Sequence, residues 1–101
     1  MSFKSFIRNL LKYVKKDDIV IFDRGYYSKE LINCINNNKS YFICRMRQDS
    51  LFVKDALKKC TYDNIKELAG YGKIRIIKYT IDGSPFYLST NIFDANTDIT
   101  F

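Results

Sequence analysis

A chain of 101 residues, 47% apolar and 16% aromatic, is long enough for one small globular domain and too apolar to be disordered. Its net charge of +6 comes with no histidine, which excludes imidazole acid–base chemistry and histidine-bearing zinc sites. No apolar stretch approaches the roughly 20 residues that span a bilayer, and Lys4, Arg8 and Lys12 interrupt the place of a signal peptide's apolar centre, so an intracellular, cytoplasmic protein is expected.

In chain order, Phe3, Phe6, Ile7, Leu10, Leu11 and Val14 recur at the spacing of an amphipathic helix, with Lys4, Arg8, Lys12 and Lys15 on its other face. Asp17-Asp18 ends it, and Ile19 to Phe22 reads as a short buried strand. Ser28 is a good N-cap for a helix over 29–37 that buries Leu31, Ile32 and Ile35 and stops in Asn36-Asn37-Asn38. Tyr41 to Cys44 is the next strand, leading into Arg45-Met46-Arg47. Strand, helix and strand within so short a span predict a βαβ unit with parallel strands and a right-handed crossover. Both strands are apolar throughout, as in a sheet covered on both faces.

The second half changes character. Residues 50–60 suit a short helix capped by Ser50, although Phe52-Val53 also suits extended chain. Lys73 to Ile81 alternates and is β-branched, Asp82-Gly83 is a two-residue hairpin turn, and Phe86 to Asn91 is the returning strand. Pro85 gives that strand an edge character at its start. An antiparallel extension of a parallel core is the expected architecture.

The charge is unevenly placed. Residues 1–54 hold 11 Lys and Arg against 5 Asp and Glu, whereas residues 55–101 hold 6 of each. A basic half favours a polyanionic partner, most simply nucleic acid. Cys34, Cys44 and Cys60 are odd in number and widely spaced, so they are expected to be reduced packing residues and not a zinc site.

The candidate chemistry lies in Asp23-Arg24-Gly25-Tyr26-Tyr27-Ser28, directly after the first strand. Ligands of open α/β sheets bind beyond the carboxyl ends of the strands, where Asp23 can ligate Mg²⁺ or Mn²⁺ beside a phosphate. Arg24, Arg45 and Arg47 stand where they can meet phosphates. Gly25 is expected to supply a positive φ or a tight turn. Tyr26 and Tyr27 suit core or lid packing more than stacking on bases. Asp18 is about 17 Å from Asp23 along the strand, too far to share an ion, and Asp49 is a weaker candidate at the end of the second strand.

Three segments in this order resemble the DDE transposases of bacterial insertion sequences. D-D-I-V-I-F-D-R-G-Y-Y-S-K-E-L-I is similar to the strand that ends in their second catalytic aspartate and continues as D-R-G-[YF]-x-S into a helix. Y-F-I-C-R-M-R resembles the strand that follows. K-I-R-I-I-K-Y-T-I-D-G-S-P-F-Y-L-S-T-N-I is similar to their β-rich insertion, which often closes on a Thr-Asn pair, here Thr90-Asn91. The likeness runs from about Asp17 to Ile92.

The resemblance implies an α/β fold: a partial RNase H-like core of helix, strand, helix and strand over 1–48, then part of an antiparallel insertion over 49–101. It implies metal-dependent DNA cleavage and strand transfer, with Mg²⁺ or Mn²⁺ as cofactor, DNA as partner and self-association of the full-length enzyme. Asp23 carries over as the second acidic ligand, catalytic and metal-binding. The family's first aspartate lies on an earlier strand, and its glutamate lies in a Y-x₂-R-x₃-E-x₆-K pattern that nothing here matches. An internal piece of a transposase, inactive by itself, is therefore expected, and a small basic nucleic-acid-binding module without catalysis is the alternative.

Overall fold

The computed structural model describes residues 9–10, 12–48 and 50–94. Five strands form one mixed sheet: β1 (Ile19–Asp23), β2 (Tyr41–Met46), β3 (Tyr62–Leu68), β4 (Gly72–Ile81) and β5 (Ser84–Thr90), in the spatial order β1-β2-β5-β4-β3. β1 and β2 are parallel and every other neighbouring pair is antiparallel. Helix α1 (Lys29–Asn37) is the crossover between the parallel strands, so the βαβ unit is present. Most of the expected N-terminal helix, including Phe3, Lys4, Phe6, Ile7, Arg8 and Leu11, lies outside the described residues; residues 9, 10, 12 and 13 are helical. Asp49 also lies outside them. Among the described residues, no helix is long and apolar enough to cross a membrane.

Local chemistry sets the element ends. The Ser28 hydroxyl accepts from the Leu31 amide at 3.1 Å, satisfying one of the free donors that open α1. Lys39, at φ 57°, turns the chain after the helix while Ser40 N donates to Ile35 O. Ser50 caps a 3₁₀ helix over Leu51–Ala56, its hydroxyl accepting from Phe52 N. Asp82 and Gly83 take φ 51° and 81°, the pair of positive values that matches a two-residue hairpin to the strand twist. Pro85 pairs with β4 only, because β2 begins to pair with β5 at Tyr87. Its missing N–H therefore faces a side of the strand that has no neighbour in the sheet.

The strand register sorts side chains onto two faces. One face presents Val20, Phe22, Phe42, Cys44, Met46, Tyr87, Ser89, Ile74, Ile76 and Tyr62. Leu31, Ile32 and Ile35 of α1, with Val53 and Ala56, cover it and make the main core. The opposite face holds a smaller cluster of Ile43, Ile77 and Leu88, packed by Tyr79 and Ile92. Cover on both faces was expected for the parallel pair and is corrected here: Ile19 and Ile21 are 52% and 63% exposed. The reason is position. β1 is an edge strand, and α1 lies on the other side of the sheet.

Side-chain hydrogen bonds join the two halves of the chain. Buried Asn91 accepts from Phe42 N at 2.8 Å and donates to Ser40 O at 3.1 Å and Asn36 Oδ1 at 2.7 Å. Thr90 Oγ1 donates to Phe42 O at 2.6 Å. Farther out, buried Arg75 of β4 makes a two-pronged pair with Asp63 of β3 at 2.7 and 2.6 Å, and donates to the carbonyls of Ile92 and Asp94. Asn91→Ala removes three hydrogen bonds and leaves the Phe42 amide buried without its acceptor, a loss of about 2–4 kcal/mol. Urea unfolding should show a lower midpoint at an unchanged slope.

Candidate functional site

Parallel pairing of β1 and β2 brings both carboxyl ends to one edge of the sheet. Asp23, the last residue of β1, lies in register with Arg45 of β2. Arg24–Tyr26 then form a single 3₁₀ turn, closed by Tyr27 N donating to Arg24 O at 2.9 Å. The turn is held from below by Tyr27, whose hydroxyl shares a 3.0 Å hydrogen bond with Ser89. The Tyr27 ring stacks on Tyr71 at 5.3 Å and meets Phe52 at 5.2 Å and Phe42 at 6.2 Å. Tyr27 therefore packs, as expected, while Tyr26 is 51% exposed on the turn it anchors.

The cleft beside this turn has a volume of about 430 Å³, and its lining includes Asp23, Arg24, Arg45, Arg47, Gln48 and Phe86. The four residues singled out from sequence thus come together. The Arg45 guanidinium lies 4.8 Å over the Phe86 ring, which stacks on Tyr79 at 5.5 Å with 22° between the planes. Phe86 and Tyr79 were missed. The hairpin turn would have placed them opposite each other, but nothing local to them shows that β5 lies beside β2.

Several candidates take structural places instead. Asp17 N donates to Lys39 O, and Asp18 accepts from Lys15 N at 2.8 Å, both at the amino end of β1. Gly25 does not have a positive φ, and a Cβ there would meet nothing within 4 Å. Of the two roles expected of Gly25, the tight turn is present and the positive φ is not: the 3₁₀ turn uses right-handed backbone that any residue adopts. Of the cysteines, Cys44 is buried, Cys34 half-buried and Cys60 exposed, all as free thiols. Packing therefore describes Cys44 and not Cys60.

Cys44 lies under the cleft. Burial pushes its thiol from 9.0 up to about 12; the negative charge of Asp23 adds to the rise and Arg24 opposes it. Tyr27 is also raised, chiefly by burial, against the lowering effect of its bond to Ser89.

The fit to a metal follows from the lining. Among the described residues the cleft offers one carboxylate and three guanidinium groups, and no three His, Cys, Asp or Glu side chains converge. Two divalent ions need several carboxylates, so these residues do not fit a two-ion centre. An arrangement of this kind suits oxyanions, with arginines offering bidentate donors to phosphate. No family model matches the chain, and the comparisons with curated proteins and with solved structures found no match.

Three outcomes follow. Gly25→Ala should keep the fold and stay within about 0.5 kcal/mol of wild type in denaturant unfolding, or gain slightly by restricting the unfolded chain. At alkaline pH the unfolded chain loses the Cys44 proton near 9 while the native state keeps it to about 12, so stability present below pH 9 should fall as pH rises through that window. Mass spectrometry after iodoacetamide at pH 8 should find Cys60 alkylated in the native protein and Cys44 alkylated only after unfolding.

Proposed function

We propose that this chain is part of the catalytic domain of an insertion-sequence DDE transposase, that its parallel pair and helix belong to an RNase H-like core, and that it binds DNA without cleaving it. The observation that carries the reading is Asp23 at the carboxyl end of β1, in register with Arg45 and sharing one cleft with Arg24 and Arg47. Asp23 corresponds to the second acidic ligand in the D-R-G-Y segment. Among the described residues Mg²⁺ or Mn²⁺ would find a single carboxylate there, opposed by three cationic side chains, so the ion has weak hold and the phosphate backbone has strong hold.

The second reading, a basic nucleic-acid-binding module of other descent, is favoured by the same excess of arginine over carboxylate. Both predict backbone contacts. They part at Asp23: a ligand inherited from a transposase leaves some Mg²⁺ dependence in DNA binding, and a module without that history leaves none.

The test is fluorescence anisotropy on a labelled DNA duplex over a salt series. Arg45→Ala and Arg47→Ala should each weaken binding across all sequences and lower the salt slope by about one unit. Binding that ignores both substitutions and salt overturns the reading of the cleft. Supercoiled plasmid should remain uncut with Mg²⁺; nicking abolished by Asp23→Asn would overturn the claim that the chain does not cleave.

A further inference from the structure

The turn between β3 and β4 lies far along the chain from Arg24, yet it is fastened to the same corner of the molecule. Tyr71 N donates to Leu68 O at 2.9 Å and closes this turn. Gly70 takes φ 83°, and a Cβ there would lie 2.7 Å from Cδ and Cε of Lys29, the first residue of α1. Asn33, one turn further along the helix, donates to Gly70 O at 3.3 Å. The turn therefore fits closely on α1, and its glycine is required both by the backbone and by the neighbouring side chain.

Seated in this way, the turn presents Tyr71. The Tyr71 ring stacks on Tyr27 at 5.3 Å with 24° between the planes, and meets Phe52 edge-on at 5.0 Å. The Lys29 ammonium lies 5.8 Å over it, while the stem of the same lysine packs on Gly70. Tyr27 is the residue whose amide closes the 3₁₀ turn on Arg24 O. That turn has no buried residue of its own and no side-chain cap. A single turn of 3₁₀ helix has little intrinsic stability, so its shape depends on how Tyr27 is held. Ser89 and Phe42 hold Tyr27 from the sheet; Phe52 and Tyr71 hold it from the connecting segments.

We propose that Tyr71 is a positioning residue for the arginine cleft: through the Tyr27 ring it fixes the turn that sets Arg24 beside Arg45 and Arg47. The inference rests on the reading of that cleft as a DNA-backbone site, and adds what aligns the donors within it. Ordering a loose turn on binding costs affinity, and a turn already braced avoids that cost.

Two measurements test it. In the free protein, hydrogen exchange followed by NMR compares the Tyr27 amide with the Tyr41 amide, which donates to Asp18 O at the other end of β1. Tyr71→Ala should speed exchange at Tyr27 roughly fivefold more than at Tyr41, the size of one lost ring–ring contact. Tyr71→Phe keeps the ring and should restore the wild-type rate. On a labelled DNA duplex, Arg24→Ala should weaken binding about tenfold in the wild-type background and only about threefold beside Tyr71→Ala. Arg47→Ala should have the same effect in both backgrounds.

Exchange at Tyr27 that ignores Tyr71→Ala overturns the brace, whatever the DNA measurement shows. Faster exchange with an undiminished effect of Arg24→Ala overturns the positioning role and leaves the backbone site standing. Absence of salt-dependent binding by the wild-type protein overturns the reading of the cleft and the positioning role with it. Should Tyr71→Ala not fold, Tyr71→Leu, which keeps bulk and loses the flat face, takes its place in both measurements.

Discussion

The hydrogen bonds of Asn91 set the geometry of the remainder. One buried side chain joins the end of β5 to the Phe42 amide at the start of β2, to the Ser40 carbonyl and to Asn36 at the end of α1. Because β5 runs antiparallel to β2, fixing its last residues at the amino end of β2 sends its first residues to the carboxyl end. That is how Phe86 reaches Arg45 and the cleft. The anchor and the site lie at opposite ends of one strand pair, and the stiffness of a paired strand carries the constraint between them.

Arginine does two different jobs on this sheet. Arg75 is 4% exposed, with its carboxylate partner and two carbonyl acceptors in place. Its hydrogen bond to Asp63 holds its pKa further up, against the effect of burial. A buried charge of this kind is tolerable because its donors are occupied, and removing Asp63 would cost more than the pair itself contributes. Arg24, Arg45 and Arg47 are exposed around the cleft. Among the described residues none of the three forms an ion pair, and Arg45 meets only the Phe86 ring, so their charge can meet a ligand.

What the sequence revealed was the local part. Ser28 and the run of asparagines bound α1 because capping chemistry acts within a few residues. Asp82-Gly83 announced its hairpin because few residues accept two successive positive φ values. Asp23, Arg24, Arg45 and Arg47 were legible together because they end two strands whose parallel pairing follows from the helix between them. β3 was not legible: Asp63, Asn64, Lys66 and Glu67 interrupt any apolar alternation, and its place comes from the backbone ladder with β4 and the Asp63–Arg75 pair. The order of strands was equally hidden, since the choice of β2 as neighbour of β5 rests on Asn91 and Thr90. Tyr79 and Phe86 stayed unrecognised for that reason.

The sheet's two ends differ in what they admit as a neighbour. At one end β3 carries Asp63, Lys66 and Glu67, the charged residues with which proteins blunt a sheet edge. At the other, β1 is Ile-Val-Ile-Phe up to its final aspartate, with no proline or lysine among its five residues and Ile19 and Ile21 open to solvent. Among the described residues its outward amides and carbonyls have no strand partner, and what guards them is its shortness and the acidic residues at either end, Asp17-Asp18 and Asp23. Of the two ends of the sheet, the one that bears the carboxylate is therefore the less guarded against an added strand.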